Sequence, residues 1–215
     1  MAVEFRIDQD EAFEMIVSIL AIALAFVFSC YGLNIEPSRF LFVLAAYVIT
    51  VGSGFILHEL AHKYYGIKYG ARARFKAWPL GLALGLGLAI IPQIFNMPLP
   101  LFIAPGAVYI YAMRHINPKE NGIISLAGPA MNWAIAFVFL GVFFLADNFI
   151  VQTVALIGVS VNLGLAFFNL IPIFPLDGSK VMAWNWKIWL AAILFAFVLS
   201  GLLSTGSYCP AALVR

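Results

Sequence analysis

GFILHELAHKYYG, residues 54–66, decides how the rest of the chain is read. Its first half completes a charge-free run from Phe40 to Leu57, and its second half sets His58, Glu59 and His62 where that run ends. A helix needs about 20 apolar residues to cross the roughly 30 Å hydrocarbon layer. Ionisable groups on one turn at the end of such a run are costly unless they pair or coordinate. Residues i and i+4 share a helical face, so His58 and His62 can grip one ion while Glu59 between them aims elsewhere. That is the H-E-x-x-H arrangement, two imidazole ligands and a general base for water. The plain alternative is a pair of helix-end histidines at the membrane interface.

The surrounding sequence gives this turn its setting. The chain has 215 residues, of which 64% are hydrophobic and 10% charged, against about 45–50% and about 25% in soluble domains. Charge-free runs predict spans at Met15–Ile35, Phe40–Leu57, Asn121–Ala146, Asn148–Leu176 and Ile188 to near Ser204. The run Ala77–Met113 does not fit, because Pro92, Pro98 and Pro100 split it into pieces too short to cross fully. It reads as a hairpin over 77–113 that enters and leaves on one side. Its second arm, with GAVYIYA at 106–112, is rich in β-branched and aromatic residues and favours a strand. The expected fold is all-α and polytopic, with about five full transmembrane helices plus this re-entrant hairpin, which can contain β structure.

Domain organisation follows: a short cytoplasmic amino terminus at 1–14, one transmembrane domain at 15–204, and a polar tail at 205–215 to which no function is assigned. The amino terminus is acidic rather than basic and so does not read as a secretory signal. The two cysteines, Cys30 and Cys209, suggest neither a disulfide framework nor a cysteine zinc site. Gly81 and Gly85, spaced G-x-x-x-G, allow close helix packing, either for a mobile gate or for a dimer face.

Lys63, Lys68, Arg72, Arg74 and Lys76 cluster after the histidines and place that end in the cytoplasm. A catalytic zinc takes three protein ligands and keeps a position open. The candidates for the third are Asp177, Glu120, Asp147 and His115. If the hairpin returns to its own side, Asp177 comes to the histidine end, whereas Asp147 falls at the far end. Glu120 and His115 flank NPKEN, which reads as a solvated turn. Asp177 follows Pro172 and Pro175, which stop the preceding helix; its competing role is to cap the segment after it.

HELAH at 58–62, AGPAMN at 127–132 and NLIPIFPLDG at 169–178 together resemble the site-2 protease family of intramembrane zinc metalloproteases, over a core of roughly 40–180. The resemblance is to a minimal form of that family, without PDZ or CBS domains. The resemblance implies one zinc per chain on His58, His62 and Asp177, Glu59 as catalytic base, a role near the site for Asn132, and a supporting role for Asn169. Asn132 either contacts substrate and helps an oxyanion or bridges neighbouring helices. An unwound substrate could add beside the 106–112 arm, through Gly106, Val108 and Ile110; otherwise that arm only packs against the core.

The expected partners are a transmembrane protein or peptide substrate and the lipid bilayer, with no nucleic acid, and the oligomeric state is left open. The runner-up function is a membrane metal-ion transporter or sensor, for which Glu59 is superfluous. A third is a membrane zinc protease of the type that trims prenylated proteins, with Glu120 as third ligand.

Overall fold

The computed structural model describes residues 5–95, 106–203, 209, 210 and 213. In chain order the elements are α1 (Gln9–Tyr31), α2 (Pro37–Lys68), β1 (Ala71–Ala77), α3 (Pro79–Phe95), β2 (Gly106–Ala112), α4 (Pro118–Leu145), α5 (Phe149–Asn169), α6 (Asp177–Trp184) and α7 (Trp186–Leu203). Helices α1, α2, α4, α5 and α7 are long and apolar enough to cross a membrane. This is an all-α polytopic membrane protein with one small sheet.

Local signals set the helix ends. Asp8 caps α1 by accepting from the Glu11 amide at 2.8 Å. Gly32, at φ 71°, lets the chain leave α1, and Pro37 opens α2 in the first turn, where a missing N–H is harmless. Asn117 and Glu120 form a reciprocal capping box at the start of α4. Asn148 caps α5 through the amides of Ile150 and Val151.

Met15, Ile19, Ile22 and Val27 of α1 pack on Val43, Tyr47, Val51 and Phe55 of α2 and on Ile157 and Val161 of α5. Helix α4 packs against both α2 and α5, α6 against α4, and α7 against α5 and α6. Large apolar side chains such as Leu41, Phe144, Leu145 and Leu202 stay exposed. On helices of this composition that outward face suits hydrocarbon, so burial of apolar surface alone does not drive their association.

Strands β1 and β2 form an antiparallel pair, from Ala71 opposite Ala112 to Ala77 opposite Gly106. The chain that leaves at Ala77 therefore comes back beside itself at Gly106, which is the hairpin expected for 77–113. Gly106 has φ 153°, and a Cβ there would lie 2.4 Å from the Lys76 carbonyl oxygen, so only glycine admits this approach.

Two expectations need correction, and one segment gains an element. The segment at 71–77, read from sequence only as basic and cytoplasmic, is a strand: its Arg and Lys alternate with Ala and Phe, and that period of two becomes meaningful once β2 supplies a partner. The first hairpin arm does not end at Ile91; α3 continues through Pro92 to Phe95, because a proline near the last turn removes only one backbone bond. The close packing that the glycines of α3 allow is made within the chain: Gly81 and Gly85 lie on the buried stripe of a helix that packs along α1. Finally, Cys30 and Cys209 are joined in a disulfide. The Tyr31 hydroxyl donates to the Pro210 carbonyl at 3.0 Å, and Leu213 is buried against the α1–α2 core, so the tail is tied back to α1. Pro98, Pro100 and the start of the second hairpin arm lie outside the described residues.

Candidate metal centre

Helix α2 runs uninterrupted past the apolar stretch, so His58 and His62 project from successive turns of one face. Their Nε2 atoms lie 2.9 Å apart. Asp177 Oδ2 lies 3.4 Å from His58 Nε2 and 3.1 Å from His62 Nε2. All three side chains are buried, and among the described residues they form the group of ligand atoms able to hold a metal ion.

The far side of each imidazole fixes its tautomer. His58 Nδ1 faces Asn132 Oδ1 at 2.5 Å, and His62 Nδ1 faces the Ile124 carbonyl at 2.7 Å. Both partners are acceptors, so each Nδ1 carries the proton and each Nε2 turns a lone pair to the centre. Two lone pairs and a carboxylate oxygen then converge on one point. Tetrahedral zinc with bonds of about 2.0–2.1 Å requires its donors to stand about 3.3 Å apart, close to the spacings found.

Helix α4 supplies the remaining wall through Gly128. A Cβ at this position would lie 2.4 Å from His62 Nε2 and 2.5 Å from His58 Nε2. The missing side chain keeps open the space in front of both donor atoms. Donor chemistry, spacing and this cradle all fit a zinc ion.

Asp177 reaches the centre through a tightly folded turn. Helix α5 ends at Asn169, the chain bends through Leu170–Leu176, and Asp177 is the first residue of α6. A Cβ on Gly178 would lie 2.0 Å from the Leu170 carbonyl oxygen, so glycine alone lets α6 start this close to the end of α5. Trp189 holds the same carbonyl from the other side, Nε1 to oxygen 2.8 Å. The capping role weighed for Asp177 is not taken up: Leu176 is the N-cap and makes no side-chain cap bond. Asp177 Oδ1 faces Lys180 Nζ at 3.7 Å.

Glu59 is buried beside the histidines and accepts from the Val108 amide of β2 at 3.1 Å. Strand β2 thus lies against the H-E-x-x-H turn, with Gly106, Val108 and Ile110 along its length. Asn132 is fully buried; besides facing His58, its Nδ2 donates to the Gly54 carbonyl at 3.2 Å and to Asn162 Oδ1 at 3.0 Å. Asn169 donates to the Leu165 carbonyl of its own helix at 2.9 Å. The other third-ligand candidates stay away from the centre: Glu120 is bound to Arg114 at 2.6 Å, and His115 and Asp147 are exposed.

Gly128 and Asn162 were not singled out from sequence. Asn162 had a readable signal, an amide in the middle of an apolar helix, which hydrocarbon tolerates only when it is paired. Gly128 lies within the quoted AGPAMN motif, but nothing local gives it a role, since the value of a missing side chain depends on what it faces.

The chain is 44% identical over 186 residues to the "Putative zinc metalloprotease MJ0611" of Methanocaldococcus jannaschii, an alignment covering 86% of this chain and 90% of that protein. It is 33% identical over 129 residues to the "Zinc metalloprotease MJ0392" of the same organism, covering 59% of this chain and 30% of that one. It is 27% identical over 154 residues to the "Putative zinc metalloprotease YwhC" of Bacillus subtilis, covering 63% and 66%. No protein-family model and no solved structure matches the chain.

Proposed function

The chain belongs to the zinc metalloprotease family of these archaeal and bacterial relatives, and we propose that it is a site-2-type intramembrane protease, cutting peptide bonds within or near the transmembrane segments of its substrates. The observation that carries this reading is the convergence at one buried point of His58 and His62, on the membrane-length helix α2, and Asp177, at the start of the short α6 between the membrane-length helices α5 and α7. The cofactor is zinc, and these three side chains are its ligands. The transporter alternative is not carried forward, because the named relatives are metalloproteases.

Bound zinc supplies Lewis acidity, acidifying water and polarising a peptide carbonyl. Glu59 takes a proton from the attacking water and returns it to the leaving nitrogen. Asn132 orients His58 through Nδ1 and is held by Gly54 and Asn162, so its role is to position a ligand. Asn169 steadies the end of α5 ahead of the turn that delivers Asp177.

A helical substrate hides its peptide bonds and must be unwound before it is cut. The Val108 amide turns away from β1 and donates to Glu59, so the β2 edge without a strand partner faces the catalytic side, and a substrate strand adding there replaces Glu59 as the partner of this amide. An extended substrate adding along Gly106, Val108 and Ile110 would bring its backbone past the general base.

Two features support a catalytic side facing the cytoplasm. Lys68, Arg72, Arg74 and Lys76 lie at the sheet end, as the positive-inside bias requires. The Cys30–Cys209 disulfide lies at the other end of α1, and disulfides persist in oxidising compartments.

The test is Glu59→Gln in purified protein with a transmembrane peptide substrate. The variant is expected to retain zinc and lose cleavage. Proteolysis persisting in the variant would remove Glu59 from the role assigned.

A further inference from the structure

The two-stranded sheet has two edges, and they are treated differently. Phe75 stands opposite Val108, and Ala77 opposite Gly106. The amides of Phe75 and Ala77 nevertheless point away from β2: Phe75 donates to Glu11 Oε1 at 2.9 Å and Ala77 to Glu14 Oε2 at 2.6 Å. In an antiparallel pair, residues that bond across the ladder alternate with residues that do not. At these positions both strands therefore turn their amides outward, β2 toward Glu59 and β1 toward α1. Two carboxylates from the first turns of α1 thus close the outer edge of β1, a device that prevents another strand from pairing there.

Glu11 does more than cap an edge. It is 1% exposed, as is fitting for a partner of Lys63, itself 2% exposed. Lys63 Nζ reaches Glu11 Oε1 at 2.6 Å, and Lys63 directly follows the ligand His62 on α2. A buried ion pair is weak evidence for stability, but it can hold elements in one arrangement. Here the contacts form a circuit: from Lys63 on α2 to Glu11 on α1, to the Phe75 amide of β1, across the strand pair to Val108, and back to α2 at Glu59, one helical turn before Lys63.

We propose that Glu11 is a positioning residue for peptide hydrolysis: by holding the Phe75 amide at the outer edge of β1, with Lys63 balancing its charge, it sets the height of the β2 edge over Glu59, and together with Glu14 it leaves β2 as the edge open to substrate. The proposal rests on the strand-addition reading given above.

The test uses the full chain in detergent, with zinc content, kcat, KM and amide hydrogen exchange of residues 71–77 and 106–112 measured together. Glu11→Ala/Lys63→Met removes the charge pair and the acceptor for the Phe75 amide. Glu11→Gln/Lys63→Met removes the charges and keeps that acceptor. The alanine double variant is expected to retain zinc, to exchange the strand amides at least about tenfold faster, and to raise KM about tenfold with a smaller change in kcat. The glutamine double variant is expected to bring exchange and KM back to within about threefold of wild type. If the alanine variant does not fold, Glu14→Ala beside Glu14→Gln repeats the comparison at the half-buried Ala77 contact.

Unchanged exchange in the alanine variant overturns the proposal. So does equal loss in both double variants, which would mark a purely structural pair. Faster exchange with unchanged KM also overturns it, and assigns the failure to strand addition rather than to the tie between Glu11 and the sheet.

Discussion

Replacing Gly128 by alanine adds one carbon to α4 and places it in front of both imidazoles. The added Cβ would lie 2.4 Å from His62 Nε2, 2.5 Å from His58 Nε2 and 2.6 Å from His58 Cε1. Ordinary contact begins near 3.5 Å, so relief demands a movement of about 1 Å. That is about five times the ±0.2 Å within which metal–ligand distances hold. Neither side yields easily. His58 and His62 are held from behind by Asn132 and the Ile124 carbonyl. Both holding groups belong to α4, so a retreat of that helix drags the imidazoles with it. Loss of an outer hydrogen bond alone lowers metal affinity about 10–100-fold; displacing two ligands at once should exceed that, a penalty above about 2.7 kcal/mol. The assay is zinc affinity by competition with a chelator of known affinity, on protein whose helix content matches wild type. Gly128→Ala binding zinc within threefold of wild type and cleaving peptide normally would refute the argument that this glycine keeps the cradle open.

Three further outcomes follow from the same geometry. Asn132→Ala should keep the fold and weaken zinc binding about 10–100-fold by releasing His58 Nδ1, measured by the same competition. Val108→Pro and Ile110→Pro should abolish cleavage while retaining zinc, because the amides they remove lie on the β2 edge turned away from β1; normal cleavage by both folded variants would argue against strand addition. Zinc should be released as pH falls, because imidazole and carboxylate side chains ligate only when deprotonated. Affinity is therefore retained at higher pH and falls on acidification, read by titrating zinc retention against pH; zinc held equally at acid and neutral pH would contradict a site of this composition.

What the sequence made legible was whatever depends on local periodicity or on crossing number. The spacing of His58 and His62 puts them on one helical face whatever else the fold does. Asp177 lies far along the chain, and apart from the family resemblance of NLIPIFPLDG it was sidedness that linked it to that face: the 77–113 hairpin had to return, and the pairing of β1 with β2 is that return. The features that escaped depend on partners. ARARFKA alternates correctly for a strand, but its charges equally suit an interfacial loop until β2 lies beside it. Cys30 and Cys209 are too few to imply a framework, and their pairing depends on the course of the tail across the end of α1. The pairing of Glu11 with Lys63 leaves no local mark, because burial of an ion pair is set by tertiary packing.

The central claim is that one zinc is held by the α2 histidines and by Asp177 across the α5–α6 turn. Zinc per chain, measured on purified wild type beside Asp177→Ala at one buffered free-zinc concentration and paired with cleavage of a transmembrane peptide, tests it most directly. The account expects about one zinc and cleavage in wild type, and loss of both in the variant. Full zinc and normal cleavage in Asp177→Ala would contradict it.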